Sequence, residues 1–246
     1  MTNQPIIHDR HHVKRIFEGM VKNGINKNAF TKPDNLTLVT CRNKGTMEDR
    51  IIPSLSGYEN KSILESNLEH LGINGLVVLT DDRLPWRNTF KFELILNYLK
   101  SGKCTTEYFM YCDAIDVIFL DKPNRVIEIF ESFNCDALFM STNSIDGYNC
   151  MPKVKSLVDN INKGNNRYLN SGVYIGKTKF IKEIFLEAIK YALPHGVTMG
   201  KYHDYLKSNP PNYPMGSQDQ DIFRFLEPKF YPRLKVDYDN LMAYRS

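Results

Sequence analysis

The chain has 246 residues, enough for one α/β core with at most a small annex, and its 42% hydrophobic and 24% charged residues are those of an ordinary globular domain. Its net charge of +4, from 32 basic and 28 acidic residues, is spread along the sequence rather than gathered in a block, which argues against a nucleic-acid partner.

In chain order, residues 1–34 are polar and irregular, and they predict a tail or a wrapping arm ahead of a single domain over 35–246. The first stretch, MTNQPIIHDRHHVKR, lacks the roughly 7–15-residue apolar run of a signal peptide. His8, His11 and His12 fall in it, but with no carboxylate or cysteine pattern around them they read as solvated tail histidines rather than metal ligands. The pattern then alternates: LTLVTC (36–41) as a strand, SILESNLEHLGI (62–73) as a helix, GLVVLT (75–80) as a strand and FKFELILNYLK (90–100) as a helix. EYFMYC (107–112) predicts a strand, RVIEIFESF (125–133) a helix and DALFMS (136–141) a strand. Loops follow over 142–170, then a strand (172–176), a long helix (179–192), a Pro/Tyr/Asn-rich loop (193–216), a helix from about 218 and a last strand near 234–238. Such alternation predicts an α/β fold, a mostly parallel sheet covered by helices on both faces, with its ligand at the carboxyl ends of the strands. No window reaches the ~18 apolar residues that span a bilayer. The cysteines (Cys41, Cys104, Cys112, Cys135, Cys150) are five in number and form no CxxC pair, so reduced, mostly buried thiols and a cytoplasmic setting are expected.

Three polar segments follow or precede apolar runs where a ligand would sit. In Cys112-Asp113-Ala114-Ile115-Asp116-Val117 two carboxylates lie three residues apart within an apolar stretch. Unpaired burial there would cost several kcal/mol, about as much as only a proton, a basic partner or a cation offsets. A turn bringing two aspartates together suits a hard divalent cation, although one Asp capping a backbone N–H would explain the same spacing. Tyr168-Leu169-Asn170-Ser171-Gly172 puts small polar residues against a strand, where Asn170 can both donate to and accept from sugar hydroxyls and Gly172 permits close backbone approach; a plain polar turn is the alternative. Ser217-Gln218-Asp219-Gln220-Asp221 fits a capping box between Ser217 and Gln220, with acidic residues favouring the helix dipole and Asp219 at a helix tip facing a cleft.

Taken in order, DAIDVIF, RYLNSGVYIG and SQDQDIF resemble the glycosyltransferase domain of the collagen lysyl hydroxylases and the related procollagen sugar transferases. FKFELILNYLK, Cys150-Met151-Pro152 and LKVDYDN (234–240) extend the likeness over about residues 35–240. The resemblance implies a GT-A (Rossmann-like) fold with a mixed, mainly parallel sheet, a UDP-sugar donor and Mn²⁺ (or Mg²⁺). It implies that Asp113 and Asp116 hold the metal, that Lys91 and Asp113 contact the donor, and that Asn170, Asp219 and Gln220 line the sugar and acceptor side. Trp86 is expected to flank the nucleotide, with Thr40 and Arg42 at the donor end of the first domain strand. This sequence departs from the family at three points. Ile115 stands where an aromatic stacks on uracil, Gln218 replaces the first Asp of a DDQ, and no HxNG-like segment supplies the family's third ligand, a histidine. That third position then falls to another side chain, to water, or to an element beyond the sequence given.

The expected chemistry is metal-dependent transfer of a sugar from a nucleotide-sugar to an acceptor hydroxyl, with a glycan, protein or small molecule as acceptor and Asp219 as candidate base. An inert nucleotide-sugar binding domain is one alternative. A metal-dependent phosphohydrolase or nucleotidyltransferase is another, opposed by the lack of a DxDxT motif or a Gly-rich phosphate loop.

Overall fold

The computed structural model describes residues 4–9, 12–43, 58, 60–83, 86–193, 216 and 218–245. The expected loop over 193–216 lies largely outside them, as do His11 and Ser217.

A six-stranded sheet forms the centre. Its strands are β2 (Leu36–Asn43), β3 (Leu76–Asp81), β4 (Tyr108–Cys112), β6 (Ala137–Thr142), β7 (Tyr168–Lys177) and β8 (Leu234–Asp237), in the order β3-β2-β4-β7-β6-β8. β2 runs parallel to β3 and β4, and β6 parallel to β8, while β7 is antiparallel to both of its neighbours, which makes the sheet mixed and mainly parallel as expected. Side-chain alternation along the strands explains the two-sided covering. On β4, Tyr108, Met110 and Cys112 enter one apolar cluster, and Phe109 and Tyr111 enter the other. On β6, Leu138 and Met140 divide from Ala137 and Phe139 in the same way.

The first cluster is closed by α1 (Val13–Lys22), α2 (Ile63–Leu71) and α4 (Pro123–Ser132), and the second by α3 (Phe90–Lys100), α6 (Thr178–Ala188) and α7 (Asp219–Phe230). α2 begins with a capping box in which Ser62 and Glu65 satisfy each other's backbone N–H groups, and it ends on Gly72 in the left-handed region. A further helix, α5 (Pro152–Ile161), follows a short turn of 3-10 helix at Tyr148–Cys150.

Four features differ from expectation. Residues 1–34 are not an irregular arm: β1 (Ile6–His8) and α1 lie within them, and Ile6, Ile7, Val13, Phe17 and Met20 are buried in the first core cluster. The span 142–170 contains α5, which opens on Pro152 in the first helical turn and buries Val154 and Val158. α6 ends at Ala188 rather than 192; α7 has Gln218 at its N-cap with no side-chain cap, and the Ser217 of the expected capping box lies outside the described residues. Finally, a second, three-stranded sheet of order β5-β1-β9 joins β5 (Val117–Phe119) and β9 (Ala243–Arg245) to β1. Its register sets His8 opposite Val117 of β5, next to the DxxD turn.

The five cysteines are free. Burial pushes the Cys41 and Cys112 thiols well above their ordinary range and Cys135 to about 12, which keeps them as thiols. Among the described residues no helix is long and apolar enough to cross a membrane.

Candidate active site

The site forms where the carboxyl ends of the parallel strands meet the amino end of antiparallel β7. Asp113 follows the last residue of β4, and its backbone N–H donates to the Gly172 carbonyl at 2.8 Å. The turn to Asp116 is held from two sides: Leu64 N donates to the Ala114 carbonyl at 3.0 Å, and Asp9 N to the Asp116 carbonyl at 2.9 Å. One turn of backbone is thus fixed by α2 and by the start of the chain.

The two oxygens of Asp113 face different partners. Oδ1 accepts from Lys91 Nζ at 2.8 Å and from the Tyr111 hydroxyl at 2.8 Å. Oδ2 lies 3.9 Å from His8 Nε2, and Asp116 Oδ2 lies 3.5 Å from the same nitrogen. His8, Asp113 and Asp116 each offer one ligand atom, all within 4.8 Å of one another. Two ligands on one cation with bonds of about 2.1 Å can lie up to about 4.2 Å apart, so both His8 separations admit an ion between the groups. Two carboxylates suit Mg²⁺ or Mn²⁺, and the added imidazole moves the preference toward a first-row transition divalent.

Lys91, from the first turn of α3, is shared between Asp113 and Asp219, whose Oδ2 lies 3.2 Å from its Nζ. Burial disfavours the ammonium, but Asp113 and then Asp219 more than offset this and raise its pKa above the ordinary lysine value. Burial raises the Asp219 carboxyl, opposed by Lys91 and reinforced by Asp113. Its second oxygen, Oδ1, accepts from Gln220 N at 2.9 Å, so both oxygens are engaged inside the fold.

Asn170 sits where β7 bulges: the register with β6 jumps between Phe139 and Met140, and Asn170 Oδ1 accepts from Gly172 N at 2.8 Å. A bulge beside a site re-aims the chain, and here it brings Gly172 under the His8 ring. A Cβ on Gly172 would stand 2.7 Å from His8 Nε2 and 2.8 Å from its Cε1.

The structure therefore brings Asp113, Asp116, Lys91, Asp219 and Asn170 together, with Gln220 half-buried beside Asp219. Trp86 stands half-buried at the rim, edge-on to Phe90, its Nε1 donating to Asn88 Oδ1 at 3.3 Å. Asn88 Nδ2 in turn donates to Gln218 Oε1 at 3.1 Å and ties the start of α3 to the start of α7. Thr40 and Arg42 are placed differently from the donor contacts expected of them. Thr40 is fully buried and donates to the Cys112 carbonyl at 2.7 Å, bracing the end of β4. Arg42 donates to Glu65 Oε2 at 2.8 Å and binds the end of β2 to the start of α2.

Three residues at the site escaped the sequence reading. The reading of His8 as a solvated tail histidine is corrected: it is 6% exposed, because β1 pairs with β5. His12 does lie half-exposed, with Nδ1 2.7 Å from Asp9 Oδ2, and takes no part in the cluster. Tyr111 is wholly buried, stacks on Tyr174, and its hydroxyl fixes Asp113. Arg224, on α7 and 0% exposed, donates to the carbonyls of Leu169 (2.9 Å), Ser144 (3.0 Å) and Asp146, clamping the loop after β6 to the start of β7. The i+3 spacing of Asp221 and Arg224 on α7 offered a hint of a charged inward face; nothing local pointed to His8.

Among solved structures, mouse xyloside xylosyltransferase 1 in its apo form is similar at a TM-score of 0.46 with 10% identity, covering 94% of this chain and 82% of that one. An active-site mutant of LgtC is similar at a TM-score of 0.37 with 13% identity, covering 81% of this chain and 72% of that one. A search of curated proteins finds no match to the sequence. The model of the family described as the PLOD GT domain matches residues 64–191, more than half of the chain, and takes in Lys91, Asp113, Asp116 and Asn170. The chain belongs to that family, the glycosyltransferase domain of collagen lysyl hydroxylases that its motifs resemble.

Proposed function

We propose that this glycosyltransferase domain takes a nucleotide-sugar, with UDP-sugar the first candidate, and transfers the sugar to an acceptor hydroxyl in a divalent-metal-dependent reaction. The observation that carries the reading is the gathering of Asp113, Asp116 and Lys91 at the strand ends of a PLOD GT domain. The donor set fits a divalent cation, which when bound supplies positive charge to the diphosphate leaving group as the glycosidic C–O bond breaks.

The protein's own residues take the other roles. Asp113 and Asp116 would hold the cation. Lys91, kept charged by its two carboxylate partners, adds a fixed positive charge on the donor side. Asn170 and Gln220 would face the sugar and Trp86 would border the nucleotide. Thr40 and Arg42 act indirectly, by setting the ends of β4 and β2. The five free cysteines support a reducing compartment.

Asp219 decides between two versions of this reading. As a general base it would have to exchange Lys91 or Gln220 N for the acceptor hydroxyl, taking its proton as the new C–O bond forms. Its engagement on both oxygens is the observation behind the runner-up, a domain that binds nucleotide-sugar without turnover.

The test is release of nucleoside diphosphate from UDP-, GDP- and dTDP-sugars, with and without an acceptor panel, in Mn²⁺ and in EDTA. Turnover that needs Mn²⁺ and falls on the order of a hundredfold in Asp219→Asn, with donor affinity unchanged, is the expected result. Wild-type turnover in Asp219→Asn removes the base assignment. Metal-dependent donor binding without turnover under every condition identifies the binding-module version, and full activity in EDTA removes the metal.

A further inference from the structure

Resting on the metal reading above, we propose that the first strand of the chain delivers His8 as a third protein ligand of the cation at Asp113 and Asp116, so that cation binding and docking of that strand are linked. The geometry starts in the backbone. β1 is held on both sides, antiparallel to β5 and parallel to β9, and Ile6 and Ile7 anchor it in the core. Asp9 N then bonds the Asp116 carbonyl at 2.9 Å, locking the register that sets His8 against the DxxD turn.

The side chain has no other evident purpose there. His8 is buried to 6% exposure, and neither ring nitrogen makes a hydrogen bond among the described residues. A buried polar group without a hydrogen bond costs about 1–3 kcal/mol, and a charged one more. Nε2 points at two carboxylate oxygens from 3.5 and 3.9 Å, too far for a hydrogen bond and close enough to share a cation. A hollow has been left for the ring: Gly172 lies beneath it where any Cβ would collide. The glycine of the Asn-Ser-Gly segment is thereby explained by the imidazole of a strand more than 160 residues earlier. With no acceptor for Nδ1 among the described residues, the ring owes its orientation to the β1 pairing and this hollow.

A cation bound by side chains from β1 and from the β4–β5 turn must stabilise their association, and by reciprocity the docked strand must raise cation affinity. Bound cation would then add to the stability of the docked strand, and loss of the strand would weaken the hold on the cation.

The test uses Mn²⁺ alone with the full chain. Pulsed electron paramagnetic resonance of the Mn²⁺-bound wild-type protein should show nitrogen modulation from one imidazole, lost in His8→Ala and in His8→Gln. Titration of the free Mn²⁺ signal should show affinity at least about tenfold weaker in both variants, since even outer-shell changes cost that much. Mn²⁺ should also slow hydrogen exchange of the Ile7 and Asp9 amides in the wild type but not in His8→Ala. Mn²⁺ bound with no nitrogen modulation, or equal affinity in wild type and His8→Ala, overturns this inference and leaves the metal reading intact. No Mn²⁺ binding by the wild type overturns both. Should the variants fail to fold, the modulation in the wild type decides alone.

Discussion

Lys91 bridges Asp113 and Asp219, and it is 10% exposed at its side chain. Its replacement by Met would leave the buried Asp219 and the partly buried Asp113 without their shared cation. Breaking a buried pair this way costs about 3–5 kcal/mol. Lys91→Met should therefore lower the denaturation midpoint strongly even without ligand, whereas a lysine serving the donor alone would leave apo stability unchanged; urea titration of the apo protein separates the two. Asp116→Ala should behave in the opposite way. Removing one of two close carboxylates relieves repulsion, so the metal-free protein should melt at the same temperature or higher while Mn²⁺ binding disappears. A melting temperature that still rises with Mn²⁺ in this variant would reduce the pair to a structural turn. At this scale the Asp113–Asp116 pair was legible because it continues an apolar strand pattern, whereas Lys91 was reached only through the family resemblance. His8 was not legible, because its partners are reached only through the pairing of β1 with β5, more than 100 residues apart in sequence. Thr40 and Arg42 were read for position alone, and position does not say whether a polar side chain turns outward to a ligand or inward to a carbonyl and a carboxylate.

At the scale of elements, α7 carries the pH response. On it, burial lifts the Glu227 carboxyl to about 7 from 4.5, with Asn162 Nδ2 donating to its Oε1 at 2.6 Å and Arg224 opposing the rise. Burial also lifts Asp221 on α7, and Asp237 at the end of β8, to about 6. Below pH 4.5 Glu227 holds its proton in both states. Between 4.5 and about 7 the unfolded chain has lost that proton and the folded one keeps it, so stability falls as pH rises and levels off above about 7. Glu227→Gln removes this share. The variant should match the wild type near pH 4 and exceed it by about 1–3 kcal/mol at pH 8. A constant difference across that range in chemical denaturation would show that Glu227 ionises freely in the folded state. Gly172→Ala belongs to the same scale, since its Cβ would push the His8 ring aside; it should weaken Mn²⁺ binding while β7 keeps its register. Helices α2, α3 and α4 were readable from apolar spacing, while the Ser62–Glu65 capping box that starts α2 went unread. α5 was passed over among Asn and Gly residues although Pro152 in its first turn and the Val154–Val158 pair mark a helix. α1 buries Val13, Phe17 and Met20, the spacing of one helix face, but surrounding lysines and arginines gave the segment a polar look.

At the scale of the whole molecule, the fold places the site by topology. Parallel β2, β3 and β4 end at the same edge where antiparallel β7 begins, so one corner of the sheet receives Asp113, Asn170 and, through α3 and α7, Lys91 and Asp219. The strand–helix rhythm announced that sheet, and the DxxD and Asn-Ser-Gly segments announced its corner. What the sequence left hidden was the second sheet, three short strands whose pairing is entirely non-local. The central claim is that this corner binds a nucleotide and a divalent cation as one unit. It is tested most directly by thermal unfolding of the wild-type protein with Mn²⁺ alone, with UDP alone and with both. A shift with both that exceeds the sum of the separate shifts is expected, because a cation held by Asp113 and Asp116 would add to the binding of the diphosphate and the diphosphate to that of the cation. A melting temperature at saturating UDP that is the same with and without Mn²⁺ would contradict it.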